Sequence, residues 1–223
     1  MTTTTRSVRA ANVRLIGEQY SSLEQEHATA EFGMWVFLAT ELMLFGGLFT
    51  AYTVYRTLYP IGFAEGSRHL DLALGGTNTA VLLVSSLTMA LAVHAGQLGE
   101  RRRMAVFLVL TAVLGAAFLG IKAVEYSKHF AEGTVPGLAW QYAGPNPAQV
   151  QLFFLAYFAL TGLHAVHLSI AVVVVVCMAF MGARRAFPAE RHTPVEMVGL
   201  YWHFVDMIWI VLLPLLYLFG LNR

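Results

Sequence analysis

The chain has little charge and almost no cysteine. Asp, Glu, Lys and Arg make up 12% of its 223 residues, about half the share of an ordinary soluble domain. The formal net charge is +1, so no basic surface for nucleic acid is indicated. The single cysteine, Cys177, excludes an intrachain disulfide and a cysteine-built metal site. Lying inside an apolar run, it is expected to be a small buried apolar side chain. No phosphate-binding glycine loop and no nucleophile–base motif occurs. A Glu-x-x-His pattern on each of two paired helices, as in ferritin-like metal bundles, is also missing. The opening MTTTTRSVRA has basic residues but no apolar segment ahead of a cleavage site. The first apolar run is therefore expected to serve as the insertion signal. No internal repeat is visible, which disfavours an inverted-repeat transporter.

What the chain has is apolar length. Hydrophobic residues make up 57%, gathered in five runs at about 31–57, 72–95, 103–127, 150–182 and 195–220. Each is long enough to cross a bilayer as a helix. Backbone groups in lipid must be satisfied within the protein, so five separate runs with polar connectors predict helices, not barrel strands. The expected fold is all-α: a polytopic membrane protein with a five-transmembrane-helix bundle over 29–223, preceded by a polar leader over 1–28. The third connector, about 128–149, is rich in proline and glycine and is expected to be an irregular loop.

The basic residues predict orientation. Arg6, Arg9 and Arg14 lie in the leader, Arg101, Arg102 and Arg103 in the second connector, and Arg184, Arg185 and Arg191 in the fourth. The odd connectors and the C-terminal tail hold only Arg56, Arg68, Lys128 and Arg223. Basic residues accumulate on the cytoplasmic side, which predicts a cytoplasmic N-terminus and an external C-terminus.

Polar residues inside the runs are the candidate functional residues, because ionisable groups at membrane depth are costly. On that topology Glu41 lies roughly 15 Å from the cytoplasmic end of the first helix, and His203 and Asp206 about 12 and 16 Å into the fifth. The three could share one layer of the bundle. One reading is a proton-handling or lipid-headgroup site; the other is a buried polar network that sets helix packing. Asn78 is a candidate interhelical or lipid contact. Lys122 and Glu125, three apart, share a helix face and are expected to form a structural ion pair at the outer interface. His164 and His167 are also three apart. Two histidines on one helix do not supply the axial pair of a haem bundle, so hydrogen bonding between helices or across a subunit interface is expected. No metal site is expected.

Several segments, taken in order, resemble one family. GMWVFLATELMLFGGLFTAY, NTAVLLVSSLTMALA, GIKAVEY, TGLHAVHL and YWHFVDMIWIVLLPLLYL resemble successive helices of cytochrome c oxidase subunit III, from about residue 31 to 220. The resemblance implies an accessory subunit of a haem–copper oxidase in a bacterial cytoplasmic membrane. Such a subunit has no haem or copper of its own; these sit in partner subunits. It packs against catalytic subunit I, accompanies subunit II and small subunits, binds phospholipid, supports proton uptake and slows turnover-linked inactivation. By the same resemblance Glu41 is the family's carbodiimide-reactive glutamate. His203 and Asp206 fall in its closing motif, and His164 and His167 in the helix before. Longer members have two further helices first; here a polar leader precedes residue 31. One wall of their lipid-filled cleft is thus expected to be missing or supplied by another chain. Ubiquinol oxidase and nitric oxide reductase-associated members often have aspartate at the position of Glu41, so the glutamate favours the cytochrome c branch. Readings of other classes are a free-standing proton channel or transporter and a metal-binding catalyst.

Overall fold

The computed structural model describes residues 23–183 and 193–218. The leader up to residue 22 and the arginines 184, 185 and 191 lie outside the described residues. Helix α1 spans Leu23–Leu58, α2 Pro60–Arg68, α3 Leu72–Gln97, α4 Arg101–Ala131, α5 Pro147–Ala183 and α6 Thr193–Tyr217. Five of these, all but α2, are long and apolar enough to cross a membrane.

The helices outrun the apolar segments that announce them. Helix α1 has 36 residues, about 54 Å at ~1.5 Å per residue, against a hydrocarbon core of about 30 Å. Hydropathy marks only the part in lipid, and polar turns continue the same hydrogen-bond ladder beyond it.

Two connectors have more structure than expected. In the first, Pro60 stands at the start of α2, where its missing N–H costs nothing and its fixed φ suits a helix. Gly62 and Gly66 then bring the α2 backbone against α5, so close that an added Cβ would strike Gln149 and Phe153 respectively. The third connector is not wholly irregular. Two short antiparallel strands, β1 (Thr134–Val135) and β2 (Ala139–Trp140), pair in the register Thr134 to Trp140. The turn between them uses Gly137 at φ +79°, a conformation that glycine adopts at no steric cost.

The ends of the spans are closed by side chains. Asp71 accepts from the Ala73 and Leu74 amides at 3.0 and 3.2 Å, satisfying two orphan N–H groups of α3. At the far end of α6, which contains Pro214, the Tyr52 hydroxyl donates to the Leu215 carbonyl (2.9 Å) and the Ser67 hydroxyl to that of Leu216 (2.7 Å). Final-turn carbonyls have no partner within a helix, so α1 and α2 supply them.

The core is centred on α6, with Trp202, Trp209, Leu212 and Leu216 fully enclosed. Met89 of α3, Leu108 and Phe118 of α4, and Phe153 and Tyr157 of α5 surround it. Helix α1 is peripheral: 11% of its apolar window is buried, against 44% for α6. It enters the core through Leu38, Phe45 and Tyr52, whose seven-residue spacing makes a single narrow seam. Trp35, Leu42 and Met43 face outward. Cys177 is also exposed on the outer surface, contrary to the expectation of burial. Lipid is as apolar as a core, so an apolar run does not reveal which residues face inward.

Candidate functional site: buried polar groups of the bundle

Glu41 meets a residue that sequence reasoning did not pair with it. Its Oε2 lies 2.8 Å from Nε2 of His167, across the α1–α5 contact. The opposite ring nitrogen, Nδ1, lies 2.8 Å from the Leu163 carbonyl. A carbonyl only accepts, so Nδ1 carries a proton. The tautomer is thereby set, and Nε2 is either an acceptor from a protonated Glu41 or a donor to its carboxylate. Both arrangements hold one proton between the two side chains, and both leave the pair neutral overall. The pair is largely enclosed, at 16% and 11% side-chain exposure for Glu41 and His167. Phe45 meets the imidazole edge-on at 5.2 Å, and the Tyr201 hydroxyl donates to the His167 carbonyl at 3.3 Å.

The expected layer of Glu41, His203 and Asp206 is therefore not one hydrogen-bonded group. His203 Nδ1 contacts the Ser86 hydroxyl at 2.8 Å. One turn on, Asp206 is buried with neither oxygen in a well-formed hydrogen bond. Its nearest donors are Ser86 and Trp202, which are engaged elsewhere: Ser86 with His203, and the Trp202 indole with Ser85 at 3.3 Å. Trp209 continues this α3–α6 seam by donating to Thr79 at 3.0 Å.

Lys122 and Glu125 form a closed polar unit within the bundle. The Lys122 ammonium donates to Glu125 Oε2 at 3.0 Å, to Tyr157 at 3.0 Å and to Tyr217 at 2.8 Å, using all three of its donors. Both tyrosine hydroxyls donate in turn to Glu125 Oε1, at 2.7 and 2.5 Å. The aromatic rings of Tyr126, Tyr157, Trp209 and Tyr217 enclose the cation, with centroids 4.9–5.7 Å away. The ion pair expected from the i, i+3 spacing is formed; its side chains are 3% and 2% exposed, walled in by α5 and α6. Every charge and hydroxyl in the unit has a partner, which makes it a rigid joint of α4, α5 and α6.

His164 departs from expectation. It is fully buried, but neither ring nitrogen has a hydrogen-bond partner. It is packed by Phe118 at 5.6 Å and Trp209 at 5.2 Å between centroids. Asn78 is likewise buried without a partner. Sequence reasoning also missed a polar clasp at one end of the bundle. Glu196 of α6 receives the Gln97 amide of α3 at 2.7 Å and contacts His27 of α1 at 3.1 Å. His27 and Gln97 lie outside the apolar runs and Glu196 at the very start of the fifth, and no spacing relates them.

His167 is committed through both nitrogens, and His164 is sealed by aromatic rings with no acid beside it. Among the described residues no three His, Cys, Asp or Glu side chains converge as a metal site. What the arrangement can do is hold helices in register and keep one proton on the α1 flank.

Similarity to known proteins agrees with this picture. The chain is 28% identical over 220 residues to cytochrome bo(3) ubiquinol oxidase subunit 3 of Pseudomonas aeruginosa, covering 99% of both chains. It is 33% identical to cytochrome c oxidase subunit 3 of Synechocystis, over 84% of this chain and 74% of that one. The corresponding subunit of Thermostichus vulcanus is 32% identical over 83% and 85%. With its five spanning helices the chain is a multi-pass membrane protein whose partners are other oxidase subunits. Residues 19–221 match the family described as cytochrome c oxidase subunit III, and the chain belongs to that family as an accessory subunit of a haem–copper terminal oxidase.

Proposed function

We propose that this chain serves an oxidase that takes electrons from cytochrome c and reduces oxygen with proton pumping, in a bacterial cytoplasmic membrane. The haem and copper belong to subunits I and II. The chain braces subunit I, alongside small subunits and bound phospholipid, and sustains proton uptake without handling electrons. Its N-terminus is cytoplasmic and its C-terminus external, as the distribution of arginines favours.

The observation that carries this reading is the hydrogen-bonded pair of Glu41 and His167 on the most exposed helix. Helix α1 is held to the bundle by one seam, and its remaining apolar surface is open. We assign that surface to the contact with subunit I and with lipid. A pair that keeps one proton there acts on the neighbouring subunit through packing and local field, not as a conduit. The glutamate at position 41 favours cytochrome c as donor. A relative that matches over 99% of its length is named for ubiquinol, so quinol is the competing donor.

The test is gentle purification through a tag on this chain, followed by spectra and donor assays. Co-eluting haem and copper with cytochrome c turnover supports the full reading. Quinol turnover corrects the donor alone. A colourless, folded chain at full yield would overturn the assignment and direct attention to proton flux in liposomes.

A further inference from the structure

The proposed function leaves one buried carboxyl unused. Asp206 of α6 is 3% exposed, and neither of its oxygens has a hydrogen-bond partner among the described residues. A carboxylate can only accept hydrogen bonds. With no donor seated on it, an ionised Asp206 would be an uncompensated buried charge. Lys122 does not compensate it, because that ammonium is committed to Glu125 and two tyrosines. A protonated carboxyl, by contrast, has a hydrogen of its own to donate.

The acceptor within reach is Ser86 of α3. Hydroxyls inside helices commonly donate back to their own backbone, and the neighbouring Ser85, Thr88 and Thr111 do so, to Leu82, Ser85 and Phe107. Ser86 turns across the α3–α6 contact instead and meets His203 Nδ1 at 2.8 Å. His203 and Asp206, three apart, share one face of α6, so Ser86 lies between an imidazole and a carboxyl. A hydroxyl has one hydrogen and two lone pairs, and can receive from Asp206 while it donates to His203. His203 is half-buried and lines a pocket of about 330 Å³ where α1 and α6 begin, beside His27, Glu31 and Glu196. Further along α6 the seam is closed by Trp209, fully enclosed and bonded to Thr79 at 3.0 Å. The line of groups therefore has one open end, at the pocket, and one blind end, at Asp206.

We propose that Asp206 is a protonation site, and that Ser86 and His203 carry its proton to and from this pocket. In the loaded state Asp206 donates to the Ser86 oxygen, Ser86 donates to His203 Nδ1, and the imidazole proton sits on Nε2. On release His203 gives the Nε2 proton to an acceptor in the pocket. Nδ1 takes the Ser86 proton, and the Ser86 oxygen takes the proton of Asp206. One proton has then left, Asp206 is a carboxylate that receives the Ser86 hydroxyl, and His203 Nδ1–H donates to the Ser86 oxygen. Reloading reverses each transfer. The inference rests on the fold of this chain alone, not on the electron donor, the contact with subunit I or the pair of Glu41 and His167.

The test uses the whole tagged complex, grown with aspartate that carries heavy carbon in its side-chain carboxyl. A protonated carboxyl has a C=O infrared band separate from that of a carboxylate, and the band shifts when its proton is exchanged in heavy water. The resting complex is expected to show a label-sensitive band of this kind that Asp206→Asn removes. Ser86→Ala is expected to slow its shift in heavy water about tenfold, as breaking a hydrogen-bonded link worth ~1.4 kcal/mol would do. Ser86→Thr, which keeps a hydroxyl, is expected to exchange at close to the unaltered rate. Absence of any protonated aspartate band in the unaltered complex would overturn the proposal, and that measurement needs no variant to fold. A band that persists in Asp206→Asn would do the same. So would exchange in Ser86→Ala as fast as in the unaltered complex.

Discussion

Glu41 and His167 lie 126 positions apart in the chain and 2.8 Å apart in the fold. Because the Leu163 carbonyl claims the other ring nitrogen, the two side chains form a single proton-holding unit between α1 and α5. Removing its proton and removing its partner are different perturbations. Glu41→Gln keeps an amide able to hydrogen-bond Nε2, and is expected to cost under about 1 kcal/mol. His167→Leu leaves the carboxyl largely buried without its partner, and is expected to cost about 1–3 kcal/mol. Thermal unfolding of the detergent-solubilised complex would rank them, with His167→Leu the lower.

The Lys122–Glu125 unit predicts a larger effect of the same kind. Lys122→Met strands a buried carboxylate and is expected to destabilise by about 3–5 kcal/mol. Adding Glu125→Leu should recover much of that loss, because no charge is then left unpaired. The two tyrosine hydroxyls would still lack Glu125 as acceptor, so recovery should be partial. Unfolding midpoints of the two single variants and the double variant complete the cycle.

The approach of α2 to α5 is a third test. Gly66→Leu places a branched side chain against Phe153, and overpacking of that kind costs about 1–3 kcal/mol. Gly76→Leu, on the spanning helix α3 with open space around its Cβ position, should leave the unfolding midpoint within about 0.5 kcal/mol. Equal effects would contradict the packing described.

Cys177 offers a check on which faces look outward. It lies on the exposed side of α5, so a small membrane-permeant maleimide should modify it in the folded, detergent-solubilised chain. A thiol that reacts only after denaturation would place that face inside an interface.

Much of the fold was legible because hydropathy announces each span. The number and order of the spanning helices follow from runs of apolar residues between polar connectors. The pairing of faces does not follow, because lipid and core select the same side chains; Cys177 and the open face of α1 illustrate this. Nor did hydropathy announce α2 or the short strands of the third connector, which depend on Pro60 and Gly137 at single positions. Within the site, the i, i+3 spacing of Lys122 and Glu125 reveals a common face, but Tyr157 and Tyr217 come from helices that only the fold brings near. Depth counting placed Glu41 and His203 at similar levels. It carried no information about azimuth, and azimuth directs Glu41 to His167 and His203 to Ser86.

The most direct test of the central claim compares the unaltered complex with its Glu41→Gln variant during sustained turnover. Initial oxygen consumption and inactivation are followed in the same record. The account predicts normal assembly, a near-normal initial rate and clearly faster loss of activity in the variant. Identical initial rates and identical inactivation would contradict a functional role for the proton held between Glu41 and His167, and would leave the pair a packing contact alone.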